Sequence, residues 1–185
     1  LTVIQQALVA NTGNDQTICQ GSTSVGLGGS SPSPGTGLWT VSNIPVGGSA
    51  GDITFNPNNT TPNATASVNI GAQSGNYTLT WTVSNAPCNS TSSNVILTVV
   101  ALPDNATVGV DQTICQGGTS SSLGGNAPAA GTGLWSVTAV PPGGNISNII
   151  FSNASSPTST ATAITNATPG TYTLTWSISN SPCTP

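Results

Sequence analysis

The sequence predicts an all-β protein made of two tandem antiparallel β-sandwiches, and three observations support that prediction. Apolar residues alternate with Thr from Tyr77 to Val83, which is the period of a half-buried strand. Clusters of Gly, Pro and Asn separate the short alternating runs, and no stretch shows a sustained helical period. The sequence also contains two tandem copies of one repeat unit. The recurring pairs, 95 or 96 positions apart, are Cys19/Cys115, Trp39/Trp135, Phe55/Phe151, Tyr77/Tyr172, Trp81/Trp176 and Cys88/Cys183.

The strand runs of the first unit follow one another at short intervals. Alternating or β-branched runs lie around residues 39–41, 53–55, 66–70, 77–83 and 95–99. Gly-Gly pairs and an Asn-rich loop stand between them, because Gly and Asn accept positive φ and therefore favour turns. The second unit repeats the clearest run as Tyr172, Leu174, Trp176 and Ile178. Many short strands separated by turn residues are typical of a β-sandwich.

The repeat pattern predicts four segments. Residues 1–10 match the end of a preceding closing strand or a donor strand, 11–100 form repeat one, 101–109 form a short Pro-bearing linker, and 110–185 form repeat two. The match rests on Leu1–Val3, which repeats the sequence of Leu97–Val99. Repeat two lacks a counterpart of residues 94–100, the last strand of repeat one, and is expected to have an open edge.

Two explanations of that open edge remain. In the first, the sequence is a window of a longer continuous array, or its tail is disordered. In the second, the apolar segment Leu1–Val9 of a neighbouring chain fills the gap, as in a donor-strand filament. The second explanation makes other copies of the same chain the expected partners.

Charged residues are nearly absent. The chain has no Lys, Arg or His, and its four acidic residues are Asp15, Asp52, Asp104 and Asp111. Binding to nucleic acid or to an anionic membrane surface needs cationic side chains, so neither partner is expected, and no apolar run predicts membrane insertion. A Ser nucleophile here has no His, Lys or Glu as general base, so we expect no enzyme activity and no cofactor.

Two weak calcium candidates, Asp104 and Asp111, lie near the predicted joint between the repeats. Calcium usually needs several carboxylates, so turn or strand-end roles are favoured for Asp15 and Asp111, and no metal is expected. Asp52 has no acidic equivalent in repeat two, where Asn148 is its nearest counterpart.

The four cysteines occur as two per repeat, which indicates an oxidised framework and an extracellular or periplasmic location. Pairing within each repeat would give Cys19–Cys88 and Cys115–Cys183. Each bridge would close a loop of roughly 70 residues and contribute on the order of 4 kcal/mol in the chain-entropy model. Free buried thiols are the alternative. Zinc is not expected, because CxxC spacing and His are both missing.

The aromatic residues lie on strand patterns with apolar partners two residues away, which predicts a core role rather than a carbohydrate platform. The predicted core residues are Trp39, Tyr77, Trp81, Trp135, Tyr172 and Trp176. Nine asparagines begin the N-x-S/T pattern and are candidate glycosylation sites, although a chain rich in Asn, Ser and Thr also makes this pattern by chance. They are Asn58, Asn59, Asn63, Asn76, Asn89, Asn105, Asn145, Asn153 and Asn166.

Three runs carry a family resemblance: DQTICQG, the run from Gly35 to Trp39, and the run from Gly75 to Trp81 followed by Pro87-Cys88. Each has a match in repeat two. Together they resemble the PKD-like, immunoglobulin-like tandem repeats of large secreted surface proteins of Bacteroidetes-type bacteria. The resemblance covers nearly the whole chain and implies a sandwich of seven or more strands, used in adhesins, surface stalks and secreted filaments. The chain departs from antibody domains because Cys88 follows its strand toward the loop.

These observations predict a structural repeat unit of a bacterial extracellular filament, such as a fimbrium, or of a cell-surface adhesin. Its partners would be other copies of itself, with covalent glycans as a further expectation. The alternative is a glycan-binding or host-surface-binding module presented on a surface stalk.

Overall fold

The computed structural model describes residues 1–183, and the chain divides into two compact units, Leu1–Ala101 and Leu102–Pro185. Unit one contains six strands: β1 (Gln16–Cys19), β2 (Thr36–Asn43), β3 (Ile53–Asn56), β4 (Thr65–Val68), β5 (Gly75–Ser84) and β6 (Thr91–Val100). A 3₁₀ turn, Ala50–Asp52, precedes β3. One sheet has the order β1-β6-β5-β2, and β3 pairs with β4 in the other.

The strand order of unit one is immunoglobulin-like. The last strand, β6, lies next to β5, and β5 lies next to β2, all antiparallel. This is the C-F-G sheet order of an immunoglobulin-like sandwich. The first strand, β1, runs parallel to β6 on its other side. The strand β6 therefore pairs in parallel with β1 on one side and antiparallel with β5 on the other.

The core of unit one lies between its two sheets. The inward residues of β5, Tyr77, Leu79, Trp81 and Val83, are all fully buried, and the residues between them are Thr. They share one cluster with the inward residues of β6, β3 and β4. The alternation read from the sequence is therefore the alternation between core and solvent. Each large apolar side chain buried in this way contributes about 1.5–3 kcal/mol.

Unit two has the same pattern with fewer strands: β7 (Thr132–Ala139), β8 (Ile149–Phe151), β9 (Ala161–Ala163) and β10 (Thr173–Ser179). A 3₁₀ turn, Ile146–Asn148, precedes β8. The pairs are β7 with β10 and β8 with β9, all antiparallel. The buried apolar cluster is smaller and consists of Trp135, Trp176 and Ile178. Up to Cys183, no counterpart of β6 follows β10.

Most of the predicted linker, 101–109, is hydrogen-bonded within unit two. The backbone N–H of Asp104 donates to Ala130 O at 3.3 Å, and that of Gly109 donates to Leu123 O at 2.9 Å. The side-chain amide of Asn126 donates to Asn105 O at 3.1 Å. The contacts give these backbone groups protein partners, so the segment is part of the second unit. Within residues 1–183, no helix is long and apolar enough to cross a membrane.

Candidate functional site

A groove of about 1000 Å³, lined by both apolar and polar residues, runs along unit two. Residues 111–115, which precede β7, and residues 170–174, at the start of β10, line it. The apolar part of the lining includes Leu123, Trp135, Ile149, Ala161, Ala163 and Ala167. Val108 and Val110 also line the groove and are 55% and 85% exposed.

Unit one shows what occupies the corresponding position there. Residues 111–115 are the counterparts of the segment that contains β1, and residues 170–174 are the counterparts of the start of β5. In unit one, β6 lies between those two elements and buries Val95, Leu97 and Val99 to 1%, 0% and 2% exposure. The groove of unit two therefore lies at the position that corresponds to β6 of unit one.

Tyr172 shows the consequence for the predicted core. Its counterpart Tyr77 is fully buried and pairs with Leu97 of β6. Tyr172 is only half-buried, and the prediction that it belongs to the core needs correction. The physical reason is the open groove, because no strand covers this side of the ring. The other five predicted core residues, Trp39, Tyr77, Trp81, Trp135 and Trp176, are buried.

The tryptophans are held by their indole N–H groups as well as by packing. Trp39 and Trp81 lie with ring centroids 5.1 Å apart, and Trp135 and Trp176 repeat the pair at 5.2 Å. Every indole N–H donates to a loop carbonyl; for example, Trp81 Nε1 donates to Ser30 O at 3.0 Å. Buried rings of this kind leave no exposed face on which a sugar could stack.

A buried tyrosine is tied to an acidic side chain in unit one. The Tyr77 hydroxyl donates to Asp52 Oδ2 at 2.7 Å and lies 3.0 Å from Gln73 O, while the Ser49 N–H donates to Asp52 Oδ2 at 2.9 Å. The bonds from Ser49 and Tyr77 hold the pKa of Asp52 below its usual value. Burial, followed by the bond to the Asp52 carboxylate, raises the pKa of Tyr77 to about 12.

In unit two an amide takes the place of that carboxylate. Asn148 Nδ2 donates to the Tyr172 hydroxyl oxygen at 2.8 Å, and the hydroxyl donates to Thr168 O at 2.9 Å. Asn148 therefore occupies the position of Asp52, as the repeat alignment predicts. A tyrosine bonded to the backbone a few residues upstream is the tyrosine corner of immunoglobulin-like domains. This feature was not predicted from the sequence, although the place of Tyr77 near the start of β5 and of Tyr172 just before β10 was a signal for it.

The cysteines of unit one lie at opposite ends of its main sheet. Cys19 pairs with Val100, the last residue of β6, whereas Cys88 precedes Thr91, the first residue of β6. A ten-residue strand places these ends about 30 Å apart. A disulfide needs Cα atoms within about 7 Å, so Cys19 and Cys88 cannot be bridged within the unit.

The same separation holds in unit two. Cys115 lies near the start of β10, because the adjacent Gln116 side chain donates to Ala167 O at 2.6 Å. Cys183 follows the other end of β10, and its N–H donates to Asn180 O at 2.7 Å. The predicted bridges Cys19–Cys88 and Cys115–Cys183 are therefore wrong. Cys19 and Cys183 are disulfide-bonded, and Cys88 and Cys115 carry free thiols.

The acidic calcium candidates do not converge on a site. The Asp104 carboxylate accepts the backbone N–H groups of Ala129 and Ala130, which is a loop-closing role. Asp111 is exposed and lines the groove. In the described part of the chain, no group of three or more His, Cys, Asp or Glu side chains comes together. Asp15, the counterpart of Asp111, instead accepts the N–H of Ile96 in β6 at 2.8 Å.

The N-terminal segment is bound to unit one over only part of its length. Asn85 Nδ2 donates to Gln5 O at 2.9 Å, and Thr91 Oγ1 donates to Leu8 O at 2.6 Å. Ala7 and Ala10 join the core of unit one. In contrast, Leu1–Val3 carries exposed side chains, with Val3 84% exposed. The apolar segment without partners is therefore shorter than the predicted Leu1–Val9.

The nine candidate glycosylation sites are all exposed in the structure. Three of them, Asn58, Asn145 and Asn153, fold their side-chain oxygen back onto the N–H two residues later, at 3.0, 2.9 and 3.0 Å. These local turns stabilise the loops in which they lie. Exposure makes every site accessible to modification, although it does not distinguish one site from another.

No family model and no curated protein matches the chain. Among solved structures, the insect immune protein hemolin is 13% identical, covers 94% of this chain and 46% of its own, with a TM-score of 0.44. The human desmocollin-1 ectodomain is 11% identical over 96% of this chain and 35% of its own, with a TM-score of 0.37. A chimeric titin Z1Z2 carrying a decorin peptide is 14% identical over 98% and 93%, with a TM-score of 0.36.

The chain thus spans less than half of hemolin and about a third of the desmocollin ectodomain. The immunoglobulin-like class of unit one rests on its own strand order and on its tyrosine corner.

Proposed function

We propose that the chain is a structural repeat unit of a bacterial extracellular filament or cell-surface adhesin, and that copies assemble by strand donation. The observation that supports this most directly is the contrast between the two units. In unit one β6 fills the space between β1 and β5, and the corresponding space in unit two is an open groove whose lining includes apolar side chains. The nearly uncharged sequence, which has no His, Lys or Glu to act as a general base, also favours a structural role over a catalytic one.

The pairing of β6 in unit one indicates how one more strand would lie in the groove of unit two. In unit one, β6 pairs in parallel with β1 and in antiparallel with β5. A strand donated to unit two would run parallel to residues 112–115 and antiparallel to β10. Its backbone would satisfy the polar groups of both edges, and every second side chain would enter the groove.

The best candidate donor within this chain is the segment Leu1–Ile4 of a second copy. Leu1–Val3 repeats the sequence of Leu97–Val99, and its side chains are exposed. Leu1 and Val3 would take the inward positions of Leu97 and Val99. Their burial contributes about 1.5–3 kcal/mol each, compared with a cost of about 4–15 kcal/mol for association. Donation by Leu1–Ile4 alone is therefore marginal and needs reinforcement.

Electron microscopy of the purified chain tests this proposal. We expect ordered fibres from the native chain and none from the double variant Leu1→Ser with Val3→Ser, because that variant cannot fill the groove. Leu8→Ser is the matched control, since Leu8 is 42% exposed but belongs to the part of the segment that is bound to unit one. Normal fibres from the double variant would rule out donation by this segment.

The alternative function, a glycan-binding or host-surface-binding module, is favoured by the hydroxyl-rich outer face of unit one. Thr80 Oγ1 lies 2.6 Å from Ser42 Oγ and 2.8 Å from Asn94 Oδ1, and Thr98 Oγ1 donates to Asn76 Oδ1 at 3.0 Å. Such a row offers donors and acceptors at regular spacing on an exposed sheet. Isolated monomers that bind in a glycan array, together with an absence of fibres, would favour this alternative.

A further inference from the structure

The two free thiols lie on the parts of the chain that strand donation would bring together. Cys88 is half-buried in unit one and Cys115 is exposed in unit two. Cys19 and Cys183 are disulfide-bonded and so are not available to form further bridges. The following inference rests on the proposed function, because it uses the register that strand donation would impose.

That register follows from unit one, residue by residue. Leu1 corresponds to Leu97, so Ile4 corresponds to Val100. Val100 pairs with Cys19 in the parallel β1–β6 ladder. Cys115 is the counterpart of Cys19 in unit two and lines the groove. A donated strand in this register therefore places Ile4 of the donor copy directly opposite Cys115 of the acceptor copy.

The donor copy brings its own thiol to the same place. Within unit one, Cys88 Sγ lies 3.6 Å from the carbonyl oxygen of Ile4 and donates to it. The register that seats Ile4 opposite Cys115 of the acceptor thus places both sulfurs beside one residue of the donated strand. Neighbouring strands lie about 5 Å apart, so Cys115 of the acceptor would lie about 5 Å from Ile4, the residue whose carbonyl oxygen the Cys88 thiol contacts.

We propose that Cys115 of one copy and Cys88 of the next copy form a disulfide that locks the donated strand in the groove. Repetition of this bond along an assembly would make it a covalent polymer. Burial of Leu1 and Val3 alone holds the two copies together only marginally. The disulfide adds the missing stabilisation, because the copies cannot dissociate while the bond is intact.

Bond formation requires a two-electron oxidant, and a low-molecular-weight disulfide such as oxidised glutathione supplies it. The Cys115 thiolate attacks oxidised glutathione, which forms a mixed disulfide and releases one glutathione thiolate. The Cys88 thiolate of the next copy then attacks the Cys115 sulfur and releases the second glutathione thiolate. The two cysteines lose two protons and two electrons, and one glutathione disulfide becomes two thiols.

Complementary single variants of the 185-residue chain test the proposal in a glutathione redox buffer. Cys88→Ser alone and Cys115→Ser alone should not form a ladder on a non-reducing gel. An equal mixture of the two should form a heterodimer, because Cys115 of the first variant meets Cys88 of the second. The native chain should form a ladder that a thiol reductant removes, and peptide mapping should identify Cys88 joined to Cys115. Adding Leu1→Ser and Val3→Ser to the Cys115→Ser variant should slow the heterodimer reaction several-fold.

The outcomes separate this inference from the proposed function. Ordered fibres that contain only free Cys88 and Cys115 thiols would overturn the disulfide and leave strand donation standing. A chain that forms neither fibres nor a ladder would overturn both. Symmetric Cys88–Cys88 or Cys115–Cys115 bridges, or a Cys88–Cys115 bridge confined to monomers, would also overturn the inference, since none of them follows from the donated-strand register.

Discussion

The hydroxyl groups of the two tyrosine corners have different hydrogen-bond partners. Tyr77 and Tyr172 each bring a hydroxyl to a backbone carbonyl four residues upstream. The remaining partner is a carboxylate, Asp52, in unit one and an amide, Asn148, in unit two. A carboxylate only accepts, so Tyr77 must donate to it, whereas the Asn148 amide donates to Tyr172 and frees that hydroxyl proton for the carbonyl. Because Asp52 can be protonated and Asn148 cannot, the stability of unit one depends on pH at this position.

The alkaline side of that coupling gives a first prediction. The folded state holds the pKa of Tyr77 at about 12, above the value of about 10 for an unfolded tyrosine. Its contribution to the free energy of unfolding is therefore present below about pH 10 and is lost as the pH rises toward 12. Ultraviolet difference titration should show a tyrosine that ionises near pH 12, and Tyr77→Phe should remove it. If the Tyr172→Phe control removes that transition and Tyr77→Phe does not, the assignment is incorrect.

The acidic side gives a second prediction, for Asp52→Asn. The folded state lowers the pKa of Asp52 below its ordinary 3.8, so its contribution is present above that pH and is lost as the pH falls through the folded value. The variant should unfold more easily at neutral pH, and its stability should change less between neutral pH and pH 3. Chemical denaturation at the two pH values measures the difference. Asp15→Asn serves as a control, and an unchanged acid dependence in Asp52→Asn would contradict the prediction.

At the scale of elements, the run from Gly35 to Trp39 packs against the neighbouring strand β5. Trp39 of β2 pairs directly with Trp81 of β5, and the indole of Trp81 lies over Gly37. A Cβ atom on Gly37 would overlap that ring. Unit two repeats the arrangement with Gly133 under Trp176. Glycine in these strands therefore provides space for an aromatic ring, and its backbone freedom is not the reason for its presence.

This packing predicts that Gly37→Ala destabilises unit one by about 1–3 kcal/mol, the usual cost of overpacking a core. Gly133→Ala should affect unit two similarly. Gly71→Ala is the matched control, because no atom lies within 4 Å of the place its Cβ would take, and its effect should stay within about 0.5 kcal/mol. Denaturant unfolding followed by tryptophan fluorescence measures all three. Equal stability of Gly37→Ala and Gly71→Ala would show that the ring moves aside without cost.

The sequence predicted the strands well and the cysteine pairing poorly, for a physical reason. Alternation identified residues 77–83 within β5 and 95–99 within β6, because burial on one face leaves a period of two in the sequence. The number of residues between two cysteines does not determine the distance between them in the fold. Cys19 and Cys88 are separated by the length of a strand, which depends on the parallel pairing of β1 with β6. The groove was foreseen only as an open edge, since its depth depends on tertiary packing.

At the scale of the whole chain, two units with nearly the same sequence pattern reach different degrees of burial. The core cluster of unit one includes residues from both sheets and from the N-terminal segment, whereas that of unit two has three buried members among the residues described up to Cys183. Equivalent residues of the two units show that the difference in burial follows from the pairing with β6 in unit one. Leu79 is fully buried beside β6, and its counterpart Leu174 lines the groove half-buried. Unit two should therefore gain stability when a suitable strand is supplied.

Peptide complementation tests that conclusion directly. A synthetic peptide with the sequence of β6, residues 91–100, should insert into the groove and slow amide hydrogen exchange in β10, because it restores the pairing that Tyr77 and Leu79 make in unit one. Exchange in β5 should not change, which provides an internal control within the same sample. A second peptide with Ser in place of Val95, Leu97 and Val99 keeps the backbone but loses the inward side chains, and it should not protect β10. Equal protection by both peptides would mean that binding does not depend on the burial of the inward apolar side chains in the groove. No protection by either peptide would mean that the groove does not accept a strand.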